Sequence, residues 1–134
     1  RINANPIMLP ASKTPIVMGT QLNITGWGMK NYVPVVIKYE ENLQIALVST
    51  INDTECLKEH PRIQDAHIFC AKGDTKMVCP TVGDRGGPAV NNGILKGIMI
   101  ETLKTDCNDT KSDLFTNVAM YIEWIKSIIP TIQQ

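Results

Sequence analysis

Residues 83–90 read Gly83-Asp84-Arg85-Gly86-Gly87-Pro88-Ala89-Val90, "GDRGGPAV". Glycines crowd a charged pair and a proline follows, so the backbone has to turn tightly before it extends. Beyond it, "NNG" at 91–93 separates Ala89–Val90 from Ile94–Thr102, and Asn-Gly between apolar runs is a strong hairpin signal. Before it, Lys72–Pro88 is a long loop rich in Gly, Pro and Thr. The stretch therefore sits where a loop feeds a hairpin.

The rest of the chain has the same texture. Residues 1–20, with Pro6, Pro10, Pro15 and Gly19, read as an extended linker. Gln21–Gly28 alternates as a strand that ends at the glycines around Trp27, and Leu43–Thr50 is a second strand. Met29–Asn42, with Pro34 and charges, predicts a loop or a short strand. Asn52 caps a short helix, with Glu55 placed to reach back and Pro61 as the stop. Ala66–Ala71 and Leu114–Val118 are further strands. Tyr121, Trp124, Ile125, Ile128, Ile129 and Ile132 then recur at helical spacing, which predicts a stripe packed on the core, with a kink or stop near Pro130. Many short strands closed by one terminal helix predict an all-β barrel with an appended helix.

Composition narrows the function. Thirteen basic and thirteen acidic residues cancel in 134, leaving no electrostatic footprint for nucleic acid or an anionic membrane. The first residues lack the charged and apolar regions of a signal peptide. Cys56, Cys70, Cys79 and Cys107 are even in number, and four cysteines allow three pairings. Asn23-Ile-Thr, Asn52-Asp-Thr and Asn108-Asp-Thr are N-glycosylation sequons, which together with the cysteines point to a secreted, extracellular protein. Cys56, His60, His67 and Cys70 have a weak zinc reading, since their spacing is unlike that of common zinc modules. The favoured reading holds no metal and no cofactor.

The order of these pieces resembles the second half of a chymotrypsin-like serine protease. The carrying residues are "PIMLP" (6–10), "GTQLNITGWG" (19–28), "HIFCAK" (67–72), "GDRGGPAV" (83–90), "GILKGI" (93–98) and "LFTNVAMYIEWIKSII" (114–129). The resemblance implies a six-stranded antiparallel Greek-key barrel with a C-terminal helix over 21–134. It also implies that the first barrel, with the catalytic histidine and aspartate, is absent from this chain, which alone would expose an apolar face. It pairs Cys56 with Cys70 and Cys79 with Cys107, and it places the two halves of a missing third bridge at Leu22 and Asn91.

In the family's motif a nucleophilic serine stands where this sequence has Arg85. A guanidinium stays protonated and offers no nucleophile. The resemblance makes Gly83 and Arg85 the vestigial oxyanion donors and Asp84 the aspartate that receives a buried amino terminus. Read without the family, Asp84 is a turn aspartate bonded to local backbone. From Cys79 to Arg85 the loop is two residues longer than the family's pattern. Met77, followed by Val78, stands where trypsins carry the aspartate that binds basic side chains. Ile100-Glu101-Thr102 replaces the usual Ser-Trp-Gly wall, and Asp113 falls on a glycine of the opposite wall. Side chains in place of glycines predict a narrowed or filled pocket. His60 and His67 lie away from the family's catalytic groove and read as partly exposed surface groups. Lys104, Lys111, Asp106, Asp109 and Asp113 form a charged loop around Cys107, read as solvated surface.

The function this implies is a catalytically inactive serine protease homologue acting by protein binding, as decoy, inhibitor or scaffold. The pattern resembles the inactivated protease paralogues of parasitic mites, a group with complement-inhibiting members. The implied partners are the missing first barrel and a protein ligand, with no nucleic acid and no membrane. The alternative is an active secreted endopeptidase in which Arg85 is an artefact or engineered change.

Overall fold

The computed structural model describes residues 4–33, 36–63, 65–74, 79–102, 104 and 107–129. Residues 4–20 run along the outside of the barrel with no helix or long strand, as their prolines dictate. They touch down at a parallel bridge between Met8 and Ile94 and where Lys126 reaches the Ala11 carbonyl at 3.4 Å.

Among the described residues eight strands follow: β1 (Gln21–Gly26), β2 (Met29–Val33), β3 (Val36–Tyr39), β4 (Gln44–Thr50), β5 (Ile68–Gly73), β6 (Pro88–Asn91), β7 (Ile94–Glu101) and β8 (Asp113–Asn117). Six of them close a barrel in the order β1-β4-β5-β8-β7-β6, with every pair antiparallel. Closure leaves the barrel no free edge. The segment expected to be a loop or short strand is a separate β2–β3 hairpin. The β6–β7 turn forms at "NNG" because Asn92 and Gly93 take φ of 49° and 75°, the left-handed pair that a two-residue hairpin requires.

Alternation fills the interior. Leu22, Ile24, Val48, Phe69, Ala71, Ala89, Met99 and Phe115 form the main core. Phe69 and Phe115 stack there with ring centroids 5.3 Å apart. Helix α1 (Asp53–Glu59) starts where Asn52 accepts from the Glu55 amide at 2.7 Å, and it ends at His60, ahead of Pro61. It covers a second cluster of Cys56, Cys70 and Leu114. The Cys56–Cys70 disulfide joins α1 to β5, and Cys79–Cys107 joins the two long loops, as the resemblance implies. With both Cys56 and Cys70 sulfurs so bonded, the zinc reading falls. At the two positions of the absent third bridge, Leu22 is buried in the core. Asn91 there donates to the Gln21 carbonyl at 2.9 Å, a hydrogen bond across the same strands.

The end of the chain corrects one expectation. After β8, a 3₁₀ turn (Val118–Tyr121) capped by Asn117 leads into α2 (Ile122–Ile128), which stops short of Pro130. Much of the stripe assigned to the core faces outward instead: Trp124 is 64% exposed, Ile128 63% and Ile129 48%, with Ile125 half-buried. Val118, Ala119 and Ile122 are the buried residues. The cause is the 3₁₀ turn, which has about three residues per turn and so resets the phase before the α-helix begins. Ile132 lies outside the described residues. Among the described residues no helix is long and apolar enough to cross a membrane.

Candidate functional site

Loop 81–87 enters the barrel at β6 and is held by its own backbone. The Asp84 amide donates to the Thr81 carbonyl at 3.1 Å, Gly87 to the Asp84 carbonyl at 3.0 Å, and Gly86 to the Met99 carbonyl at 2.9 Å. Val82 bonds both neighbours, accepting from the Met29 amide and donating to the Lys104 carbonyl, each at 3.0 Å.

The Asp84 side chain is the pivot. Its two carboxylate oxygens accept from the Gly28 amide at 2.8 Å and the Thr81 amide at 2.9 Å. The close approach depends on glycine: a Cβ on Gly28 would stand 2.3 Å from Asp84 Oδ2. Asp84 is thus bonded both to its own turn and to the residue that follows Trp27. Beside it a cleft of 580 Å³ opens, lined by Ile24, Met29, Ala46 and Met99 and edged by Glu40 and Gln44. A carboxylate against apolar walls suits a group with a cationic end and an apolar body.

Arg85 stands at the tip of the loop with its side chain in solvent. Its Nη2 reaches Glu101 Oε1 at 3.3 Å, an exposed pair worth at most about 1 kcal/mol. The bridge crosses from the loop to the end of β7, so Arg85 and Glu101 lie on one rim, with Ile100 exposed beside them.

Behind that rim lies a buried polar cluster that overturns part of the surface reading. Lys104 and Asp113, expected in a solvated loop, are 4% and 1% exposed and meet at 2.7 Å between Nζ and Oδ2. Thr102 is buried with them, its hydroxyl donating to the Pro80 carbonyl and accepting from the Lys104 amide, both at 3.3 Å. Burial pushes the Asp113 carboxyl above its ordinary range, and hydrogen bonds from Lys104 and Thr102 only partly offset this. Asp109 and Lys111 do lie in solvent, joined by a turn in which the Lys111 amide donates to Asp109 Oδ1 at 2.9 Å. Met77, Val78 and Asp106 fall outside the described residues.

The histidines are engaged elsewhere. His60 Nε2 meets the Ser112 carbonyl at 3.0 Å and its hydroxyl at 3.1 Å. His67 Nδ1 lies 2.6 Å from Asp65 Oδ1, and its ring packs against Tyr121. Sequence reading missed a network on α1. Lys72 binds Glu55 and Glu59, both at 2.6 Å, and Glu59 accepts from the Ser112 amide and hydroxyl. Two glutamates four residues apart share one helix face, and that was the available signal for a cation between them. Asn23, Asn52 and Asn108 are all exposed.

A closed antiparallel barrel with a terminal helix and a disulfide-tied loop at its rim is a chymotrypsin-like barrel. The family model named Trypsin matches residues 2–125, so the chain belongs to the trypsin family. Snake venom serine protease 1 of Craspedocephalus gramineus is 30% identical over 125 residues, 92% of this chain and 47% of that protein. Neuropsin, a serine protease of mouse brain, superposes with a TM-score of 0.77 at 25% identity, over 93% of this chain and 54% of its own. The scabies mite inactivated protease paralogue S-I1 shares the fold, with a TM-score of 0.74 at 24% identity over 96% of this chain and 54% of its own. The chain spans about half the length of the relatives it matches.

Proposed function

We propose that this chain is the second barrel of a secreted, non-catalytic serine protease homologue that acts by binding another protein, as decoy, inhibitor or scaffold. The observation that carries the reading is Arg85. It occupies the place of the motif's nucleophilic serine, and it extends into solvent toward Glu101. A permanently protonated guanidinium cannot attack a carbonyl, and no histidine contacts it among the described residues. The buried Lys104–Asp113 pair supports the same reading, because the resemblance gives the position of Asp113 to a glycine of the family's pocket wall.

The structural parts keep their uses in this reading. Asp84 and the glycines hold the loop. The cleft beside Asp84 receives an amino terminus when a first barrel is present. That barrel also covers the apolar residues left exposed on α2. Secretion is supported by two disulfides and three exposed sequons. The partner is a protein of the extracellular fluid, and complement components are the first to test.

The test uses the protein carrying both barrels. Neither peptide cleavage nor labelling by a serine-directed covalent probe is expected from the unmodified protein. Arg85→Ser restores a hydroxyl, but cleavage after basic residues stays absent while Lys104 holds the pocket. Robust peptide cleavage by the unmodified protein would sink the non-catalytic reading. Failure to recover any specific protein from plasma at micromolar bait would sink the binding role.

A further inference from the structure

Lys104 and Asp113 are the most buried ion pair among the described residues. They come from two segments nine residues apart in sequence. Asp113 opens β8, while Lys104 lies beyond the end of β7, past Thr102. The Thr102 hydroxyl beside them is tied to the Pro80 carbonyl, next to the Cys79–Cys107 disulfide. Among the described residues neither side chain makes a second ion pair, and each is desolvated by the fold. A carboxylate shut away from water demands one cation, and an alkylammonium supplies both the charge and an apolar stem.

We propose that Lys104 is an internal ligand: its side chain occupies the pocket and neutralises Asp113, so the pocket is self-occupied and closed to basic side chains of other proteins. This rests on taking Thr102 and Asp113 as the pocket walls, a placement that the resemblance implies and that does not depend on whether the protein is catalytic. The competition favours the internal group. Lys104 is tethered nine residues from Asp113, which gives it an effective concentration of roughly millimolar or more. A free cation must also give up its translational freedom on binding. An arginine or lysine presented by a partner meets a site already filled and neutral. Recognition then falls to the rim, where Arg85, Ile100 and Glu101 are accessible.

Two measurements on the intact chain test this. In the first, the native protein is treated with an amine-reactive ester and its lysines are read by peptide mass spectrometry. Lys104 should react on the order of tenfold or more slowly than exposed Lys111, because labelling requires local opening. Equal reactivity would overturn the proposal. In the second, Lys104→Ala removes the stem and ammonium, and n-propylammonium or benzamidine is added. A saturable rise in melting temperature is expected for Lys104→Ala, but not for the wild type, for Lys104→Ala combined with Asp113→Ala, or with neutral propanol. Benzamidine binding to the wild type as tightly as to Lys104→Ala would overturn the proposal, as would a folded Lys104→Ala that responds to neither cation. If Lys104→Ala does not fold, the labelling of the wild type decides alone. Cleavage activity in the protein would remove the non-catalytic reading and leave both measurements standing.

Discussion

At the scale of single residues, charge and burial divide the site in two. Arg85 and Glu101 meet in solvent, where screening leaves the pair little value. Replacing either with alanine should change unfolding free energy by less than about 0.5 kcal/mol in a urea titration. Lys104 and Asp113 meet out of solvent, where losing one partner strands the other. Asp113→Ala should therefore cost about 3–5 kcal/mol, and Lys104→Met combined with Asp113→Leu should recover most of it. A loss below about 1 kcal/mol for Asp113→Ala would mean that water reaches Lys104. Asp113 is a pocket residue only by the resemblance. Its pairing was not legible, because nothing in "TLKTDC" or "KSDLF" says which loop charge turns inward.

At the scale of elements, α1 and α2 contrast. Helix α1 is tied to β5 and to the start of β8 through Glu59. Burial alone would raise that carboxyl, but hydrogen bonds from Lys72 and Ser112 outweigh it and hold its pKa at about 2 against an ordinary 4.5. A depressed carboxyl contributes stability that is present above pH 4.5 and lost as pH falls toward 2. After allowance for solvent screening this is about 1–2 kcal/mol. Glu59→Gln should flatten the pH dependence of the urea midpoint across that window, and an unchanged slope would refute the network's role. The cap of α1 was readable from "NDTE", and Asn52→Ala should cost about 1 kcal/mol. Helix α2 had a clear period, but its phase was misread. Trp124→Glu and Ile128→Glu should each leave the stability of this chain within about 0.5 kcal/mol, since both face solvent. A cost of about 3 kcal/mol or more would put the stripe back in the core.

At the scale of the whole molecule, the barrel is complete, yet its surface is not that of a finished monomer. Its six strands close and its cysteines are paired. Trp124, Ile128 and Ile129 nevertheless stand exposed together at the end of α2. Contiguous apolar surface of this kind marks a contact surface. In a protein carrying both barrels, charged substitutions at Trp124 and Ile128 should leave the second barrel folded but weaken its association with the first. Limited proteolysis of the segment joining the barrels reads this directly, as faster cutting in the variants. Reducing the Cys56–Cys70 bridge should cost about 3 kcal/mol, the value for a closed loop near its 14-residue separation.

The sequence by itself determined the strand-rich barrel, the "NNG" hairpin, the Asn52 cap and, through the order of its motifs, both disulfides. The first three are written in local chemistry and patterning, while the disulfide pairing is implied by the family resemblance alone. Only the tertiary structure decided which charges are buried, which face of α2 turns outward, and that Asp84 is held by Gly28 and Thr81. Those are contacts between segments distant in sequence. They depend on the phase set by a 3₁₀ turn and on the volume enclosed between β7, β8 and the disulfide-tied loops, quantities no single stretch of residues carries.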